Sequence, residues 1–163
     1  MGKLIIIEGT DGSGKQTQTE LLCKKLKEIK GENNVKKISF PNYESRSSEP
    51  VKMYLAGEFG KTAESVNAYA ASVLYSVDRF ASFKTEWEEF YNNGGIVISD
   101  RYTISNMIHQ IPKILEKSER EKYLDWLIDL EWSKIQIPKP DIVFFLDIPF
   151  EFSQKLMKDR ENK

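Results

Sequence analysis

Residues 3–17 read KLIIIEGTDGSGKQT, and this stretch decides the fold. Leu4 to Ile7 form a short, β-branched apolar run, the composition of a strand covered on both faces. Gly9, Gly12 and Gly14 then let the chain turn sharply. From Thr17 to Lys30 the apolar residues Leu22, Leu26 and Ile29 recur at i, i+4 and i+7, which predicts a helix that Gly31 stops. A strand, a glycine-rich loop and a helix in succession make an anion nest. Loop N–H groups and the helix N-terminus point at one spot, and Lys15 adds a mobile cation for β- and γ-phosphates. The expected nucleotide-phosphate cradle is Gly9, Thr10, Asp11, Gly12, Ser13, Gly14, Lys15, Gln16 and Thr17. Gln16 departs from the G-x-x-x-x-G-K-[ST] pattern, in which a hydroxyl at this position helps to hold Mg²⁺. The Gln16 carbonyl oxygen can take that part directly or through water, and Thr17 is the alternative. The backbone nest is unaffected either way.

Outward from this segment, three more β-rich runs follow: VKKISF (35–40), GIVISD (95–100) and DIVFFLD (141–147). The last is again nearly continuous in apolar residues, as for a strand covered on both faces. Helical patterns separate the runs. Between Glu64 and Tyr91 an apolar stripe passes through Val66, Tyr69, Val73, Val77 and Phe80, continues to Trp87 and Phe90, and ends at Gly94-Gly95. Ser118 and Glu121 have capping-box spacing ahead of Leu124, Leu127 and Ile128. Pro138 and Pro140 break the chain before the last strand, and Pro149 leads into a final helical stretch. The reading is α/β: a parallel β-sheet flanked by helices on both faces, a three-layer α/β/α domain over residues 1–163. Ligands in such sheets bind beyond the carboxyl ends of the strands. That rim would carry Gly9–Lys15, Phe40-Pro41, Asp100-Arg101 and Asp147.

The chain has 163 residues, 40% of them hydrophobic and 30% charged, which fits one soluble domain with a sizeable core. A net charge of −1 gives no global basic field for nucleic acid or an acidic membrane. The single cysteine, Cys23, forbids an internal disulfide framework and fits a reducing cytoplasm. No apolar run reaches transmembrane length, and the strand pattern starting at Leu4 leaves no room for a signal peptide.

Three further segments bear on the acceptor: FPNY (40–43), LYSVDR (74–79) and DRYTISNMIHQ (100–110). With EGTDGSGKQTQ and PDIVFFLDIP they resemble the thymidylate kinases, the P-loop nucleoside monophosphate kinases that phosphorylate dTMP. The resemblance runs from Lys3 to about Arg160. A P-loop alone is generic, whereas D-R-Y-x-x-S-N combined with a helical L-Y-x-x-D-R is specific.

The resemblance implies transfer of the γ-phosphate of ATP to dTMP, giving dTDP for dTTP synthesis, with Mg²⁺ accompanying ATP. It assigns Lys15 and Arg101 to charge stabilisation, Arg101 clamping the acceptor phosphate as a guanidinium can do bidentately. Asp100 either orients Arg101 or binds the metal through water, so the expected metal ligands are Gln16 and Asp100. Asp11 would accept a hydrogen bond from the 3′-OH of the acceptor sugar. Tyr75 and Arg79 share a helix face one turn apart. In the family an aromatic and an arginine at these positions contact thymine, whereas pattern alone favours Tyr75 as core and Arg79 as paired with Asp78 or solvent. Asn106 can pair with a ring N–H and a carbonyl, with Ser105 beside it. His109, the only histidine, stands where many members carry a tyrosine that crowds the 2′ position. Phe40 would pack near the base and sugar, and Tyr43 would reach the acceptor phosphate. Many members have an arginine at Asn42, a charge that Arg46 or Lys52 would have to replace here. A homodimer through the helix bearing Val66, Val73 and Val77 is also implied, although burial of that stripe in the core fits the same pattern.

Phosphoryl transfer of this kind needs in-line positioning and positive charge, and no general base, because the acceptor oxygen is already anionic. The P-loop has Gly12 where some members have a catalytic arginine; members that lack it there resemble this sequence and supply the arginine from a lid, which would begin near Arg160. The expectation is a chain ending at the start of that lid, with greatly reduced kcat. The competing readings are another nucleoside monophosphate or deoxynucleoside kinase and a non-catalytic nucleotide-binding module. FPNY offers no carboxylate base for a neutral 5′-OH, and no N-K-x-D motif for guanine is present.

Overall fold

The computed structural model describes residues 1–149, 151–154 and 156. All four predicted strands form, as β1 (Lys3–Gly9), β2 (Val35–Ser39), β3 (Ile96–Asp100) and β4 (Ile142–Leu146). They make one sheet in the order β2-β3-β1-β4, with β1 parallel to both of its neighbours. The helices are α1 (Lys15–Lys30), α2 (Glu49–Leu55), α3 (Ala68–Ser82), α4 (Glu88–Asn92), α5 (Thr103–Gln110) and α6 (Lys117–Ile128). The alternation of strands and helices is the α/β class read from the sequence.

The chain forms two compact units. The first contains Met1–Ile38, Phe90–Arg101 and the described residues from Pro140 onward; the second contains Ser39–Glu89 and Tyr102–Lys139. In the first unit, β1 is central and its side chains alternate. Ile7 joins Ile98 and Val35 under α1, whose Cys23 is buried against them with Leu22 and Leu26 alongside. Leu4, Ile6 and Glu8 point to the other face and are fully buried. Each fully buried Ile or Leu contributes about 1.5–3 kcal/mol. Gly31 ends α1 in the left-handed region, its N–H donating to Lys27 O at 2.9 Å. Ile29 is exposed rather than packed, because Cys23, not Ile29, continues the inward face.

Two further expectations are corrected in the first and second units respectively. β4 is not covered on both faces: Ile142, Val143, Phe144 and Phe145 are 40–50% exposed, since β4 is the edge strand among the described residues. The Ser118–Glu121 capping box does not form. Helix α6 starts at Lys117 with Glu116 at its N-cap and no side-chain cap; its buried residues are Tyr123 and Leu127, and Ile128 faces outward.

In the second unit, the apolar stripe of α3 is not core. The predicted stripe on α3 lies outside: Tyr69, Val73, Val77 and Phe80 are 36–49% exposed. The buried face is small and polar, comprising Ala68, Ala71, Ser72, Ser76, Asp78, Arg79 and Ser82. Asn67 caps the helix by accepting from Ala70 N at 2.8 Å. Beyond Ser82 the chain runs through one π-helical segment, Phe83–Trp87, into α4, and a second π segment, Asp129–Lys134, follows α6. No helix among the described residues is long and apolar enough to cross a membrane. The expected lid start near Arg160 lies outside the described residues.

Candidate functional site

The phosphate cradle forms in the first unit. Gly9 leaves β1 with φ 152°; a Cβ there would meet Leu146 O at 2.8 Å and Ser13 Oγ at 2.7 Å, so only glycine fits this close approach. Gly14 is the N-cap of α1 in the left-handed region, φ 85°, with open space where a Cβ would stand. Its role is conformational: it turns the loop so that the first N–H groups of α1 face the cavity. Ser13 Oγ is buried without a hydrogen-bond partner, an unused hydroxyl inside an anion nest.

Lys15 is 6% exposed and bends back into the loop, its Nζ donating to Gly9 O at 2.9 Å and Thr10 O at 2.6 Å. Burial lowers its pKa, the nearby Arg101 charge lowers it further, and Asp11, Asp100 and Glu8 oppose the shift. Two cations are therefore held close enough to feel one another, a state that a polyanion would relieve.

Arg101 follows β3 with φ 66°, in the left-handed region where a residue with a Cβ costs about 1–2 kcal/mol. Its backbone is fixed on both sides: Arg101 N donates to Ile7 O at 3.1 Å, and Ser99 Oγ donates to Arg101 O at 2.5 Å. The strain aims the guanidinium at the loop, where Nη2 donates to Asp11 Oδ1. Lys15 Nζ lies 4.0 Å from the same carboxylate oxygen. Asp11, Gly12, Gly14, Lys15, Gln16, Asp100 and Arg101 line one cavity of about 320 Å³. Sequence reasoning placed each of them at the site, but not the ion pair between Asp11 and Arg101. Asp100 pairs with Ile7 in the β-ladder. Gln16 Nε2 donates to Glu20 Oε1 at 3.3 Å along α1, and Thr17 is exposed.

No group of three or more His, Cys, Asp or Glu side chains among the described residues is arranged to hold a metal. Mg²⁺ carried with ATP takes one or two protein oxygens and completes its shell with phosphate and water. The Asp100 carboxylate and the Gln16 amide oxygen, lining the same cavity, fit that limited demand.

The residues expected to read the acceptor base lie in the second unit. Arg79 is 2% exposed and its Nε donates to Glu131 Oε2 at 3.0 Å, with Nη2 on Glu131 Oε1. The alternative pairing with Asp78 does not occur. Asp78 instead accepts from Asn42 N at 2.8 Å and Ser47 Oγ at 2.7 Å, tying the FPNY segment to α3. Asn42 Nδ2 donates to Glu86 Oε1 at 2.8 Å, and Lys52, one candidate replacement cation, is paired with Glu49 at 2.7 Å. Phe40 is buried, its ring 5.8 Å from that of Tyr102, and Tyr43 is exposed. Tyr75 is half-buried, edge-on to Tyr54 at 6.3 Å. Asn106 is buried, its Nδ2 donating to Ser72 O at 3.3 Å; Ser105 is half-buried and His109 exposed on α5.

Sequence reasoning missed Asp78 and Glu131 as organisers. The signal for Glu131 was present: it stands at i+7 from Leu124 and i+4 from Leu127, at the spacing that continues their apolar pattern. A carboxylate at a core position needs a buried partner.

The thymidylate kinase family model matches residues 7–163. A thymidylate kinase of Mycobacterium tuberculosis is 30% identical over 161 residues, covering 98% of this chain and 72% of its own. Among solved structures, thymidylate kinase from Ehrlichia chaffeensis aligns with a TM-score of 0.65 and 26% identity, over 99% of this chain and 80% of that one. The enzyme from Candida albicans aligns with a TM-score of 0.69 and 28% identity, over 94% and 66%. A P-loop with a constrained arginine beyond β3, together with a match over nearly the whole length, leads to one conclusion: the chain belongs to the thymidylate kinase family.

Proposed function

We propose that this chain catalyses ATP + dTMP → ADP + dTDP, with Lys15 and Arg101 as its charge-stabilising side chains. The reaction class follows from family membership; the residue roles are our reading. The observation that carries them is the convergence of Lys15 and Arg101 on one glycine-floored cavity, their charges offset only by acidic side chains.

In the first unit, the loop N–H groups and Lys15 hold the donor phosphates. Lys15 exchanges the Gly9 and Thr10 carbonyls for phosphate oxygens. Arg101 exchanges Asp11 for the acceptor phosphate, and the released Asp11 carboxylate accepts from the sugar 3′-OH. The acceptor oxygen attacks as an anion, so no side chain has to remove a proton. Asp100 and Gln16 would hold Mg²⁺, which when bound neutralises charge on the phosphate oxygens. In the second unit, Tyr75 stacks on thymine, Asn106 pairs with its ring edge, and Arg79 donates from Nη1, the arm not engaged by Glu131. Phe40 flanks the base and sugar, Tyr43 reaches toward the phosphate, and Ser105 and His109 line the sugar side of α5.

ADP release measured with dTMP, dUMP, dGMP and thymidine tests this reading. Turnover highest with dTMP and negligible with thymidine is expected. Preference for thymidine or dGMP would refute it, and dTMP binding with no turnover would favour a non-catalytic module. The exposed stripe Tyr69, Val73, Val77 and Phe80 supports self-association as a homodimer. Val77→Glu should then yield a monomer by light scattering, and an unchanged mass would refute that use of the stripe.

A further inference from the structure

We propose that Glu131 is a positioning residue for acceptor recognition: a single buried carboxylate that sets the aim of Arg79 and the spacing of α3 from α5. The inference rests on the base-reading role given to Arg79 and Asn106 above.

Glu131 is fully buried and saturated with donors. From α3 it accepts Ser76 Oγ at 2.6 Å, Arg79 Nε at 3.0 Å and Arg79 Nη2. From the first residue of α5 it accepts Thr103 Oγ1 at 2.5 Å. Arg79 is thereby held through two of its three nitrogens. A planar guanidinium gripped side-on cannot swing, so the direction of Nη1 is set by Glu131. Thr103 ties the start of the helix that carries Ser105 and Asn106 to the same carboxylate. Further along α3, Asn106 Nδ2 reaches Ser72 O, and Ser72 Oγ meets Tyr123 OH at 2.8 Å. Ser72, Ser76 and Arg79 fall at i, i+4 and i+7, one polar seam on a helix whose apolar stripe faces outward.

Two features argue for more than packing. A buried ion pair is a poor way to gain stability, since hydrophobic residues of similar volume often do as well. Its specific product is a fixed geometry, and here the geometry is that of the side chains assigned to the base. Glu131 also sits within the π-helical segment Asp129–Lys134. Such segments are rare and concentrate at functional sites. Within this segment the buried residue is the carboxylate itself.

The test is dTMP binding by calorimetry on the full chain, with 2-deoxyribose 5-phosphate as a ligand that keeps the phosphate and sugar but lacks the base. Glu131→Gln should weaken dTMP about tenfold, the loss of roughly one hydrogen bond from a charged group. Affinity for deoxyribose 5-phosphate and for ATP should stay within about twofold. Thr103→Val, which removes one donor and leaves the Arg79 pair, covers the case in which Glu131→Gln does not fold. It should weaken dTMP by about two- to threefold with the same selectivity. Glu131→Asp should recover part of the loss. Equal weakening of both ligands, or unchanged dTMP affinity in a folded variant, would overturn the inference. Arg79→Lys separates it from the reading beneath. If Arg79→Lys weakens dTMP selectively and neither Glu131→Gln nor Thr103→Val does, the positioning role alone fails. If Arg79→Lys has no effect, the base-reading assignment fails and takes the inference with it.

Discussion

Asp11→Asn should move two affinities in opposite directions. Asp11 is paired with Arg101 in the ligand-free chain, and an incoming phosphate has to displace it. The Asp11 side chain is 63% exposed and that of Arg101 22%, so water screens the pair heavily. Exposed pairs are worth about 0.2–1 kcal/mol. At about 1.4 kcal/mol per tenfold, removing this competitor strengthens anion binding by at most about fivefold. The 4.0 Å contact of Asp11 with Lys15 adds little, because it too faces water on one side.

The sugar contact works the other way. A hydrogen bond to a charged carboxylate is worth about 1.5–3 kcal/mol, or roughly 10- to 150-fold. Against a fivefold gain at the phosphate, dTMP should bind Asp11→Asn about 2- to 30-fold more weakly. Pyrophosphate, which has no sugar, should bind up to about fivefold more tightly. The 3′-deoxy analogue of dTMP should follow pyrophosphate. Calorimetric titration of the three ligands in low salt measures all of this, and the pyrophosphate gain should shrink as salt is raised. If Asp11→Asn weakens pyrophosphate, the displacement argument is wrong. If dTMP and its 3′-deoxy analogue shift alike, Asp11 does not read the 3′-OH.

The lowered pKa of Lys15 predicts an alkaline limit to ATP binding. The charged form holds phosphate, so affinity is full below the lowered value and falls as pH rises through it, short of the ordinary value near 10.4. Lys15→Arg should remove that limb from the pH profile of ATP affinity, and a limb unchanged in this variant would exclude Lys15 as its source. Stability has the opposite sign: between the folded and unfolded values the unfolded chain binds more protons, so Lys15 contributes a gain in stability as pH rises across that window. Asp78→Asn places an N–H against the donors Asn42 N and Ser47 Oγ, costing about 1–3 kcal/mol. Thermal melting should show a drop of a few degrees or more. Because the 40–48 segment carries Phe40 and Tyr43, KM for dTMP should rise more than KM for ATP; equal rises would refute this role.

How much was legible in the chain depended on which force placed each residue. The four strands were readable because β-branched runs such as LIIIE and GIVISD have few alternatives once glycine and proline bound them. The cradle was readable for the same local reason: its glycines, lysine and helix start are contiguous. Helix α3 stayed open between core and dimer face because periodicity reports where apolar side chains repeat, not which face turns inward. Its inward face is set by Ser72, Ser76, Asp78 and Arg79, whose partners on other segments lie 31–55 positions away. A polar seam is cheap to bury only when every partner is in place, and no window of sequence displays them together. The same limit hid the Asp11–Arg101 pair, whose members are 90 positions apart.

Two arginines of this chain carry the comparison further, since both meet a carboxylate and only one can exchange it for a ligand. Arg101 and Asp11 keep contact with water, so breaking their pair leaves both ions solvated and costs little. Arg79 and Glu131 are 2% and 0% exposed, and separating them would strand a buried charge at several kcal/mol. A phosphate offers Arg101 a better bargain than Asp11 does, whereas no neutral base can compensate Arg79 for the loss of Glu131. Burial alone therefore sorts the two pairs into different tasks. Under the proposed roles, the exposed pair would yield to the acceptor phosphate, and the buried pair would keep its geometry while the base is read. A phosphoryl-transfer enzyme benefits from that division, because charge must be rearranged where the reaction occurs and must stay fixed where the substrate is identified.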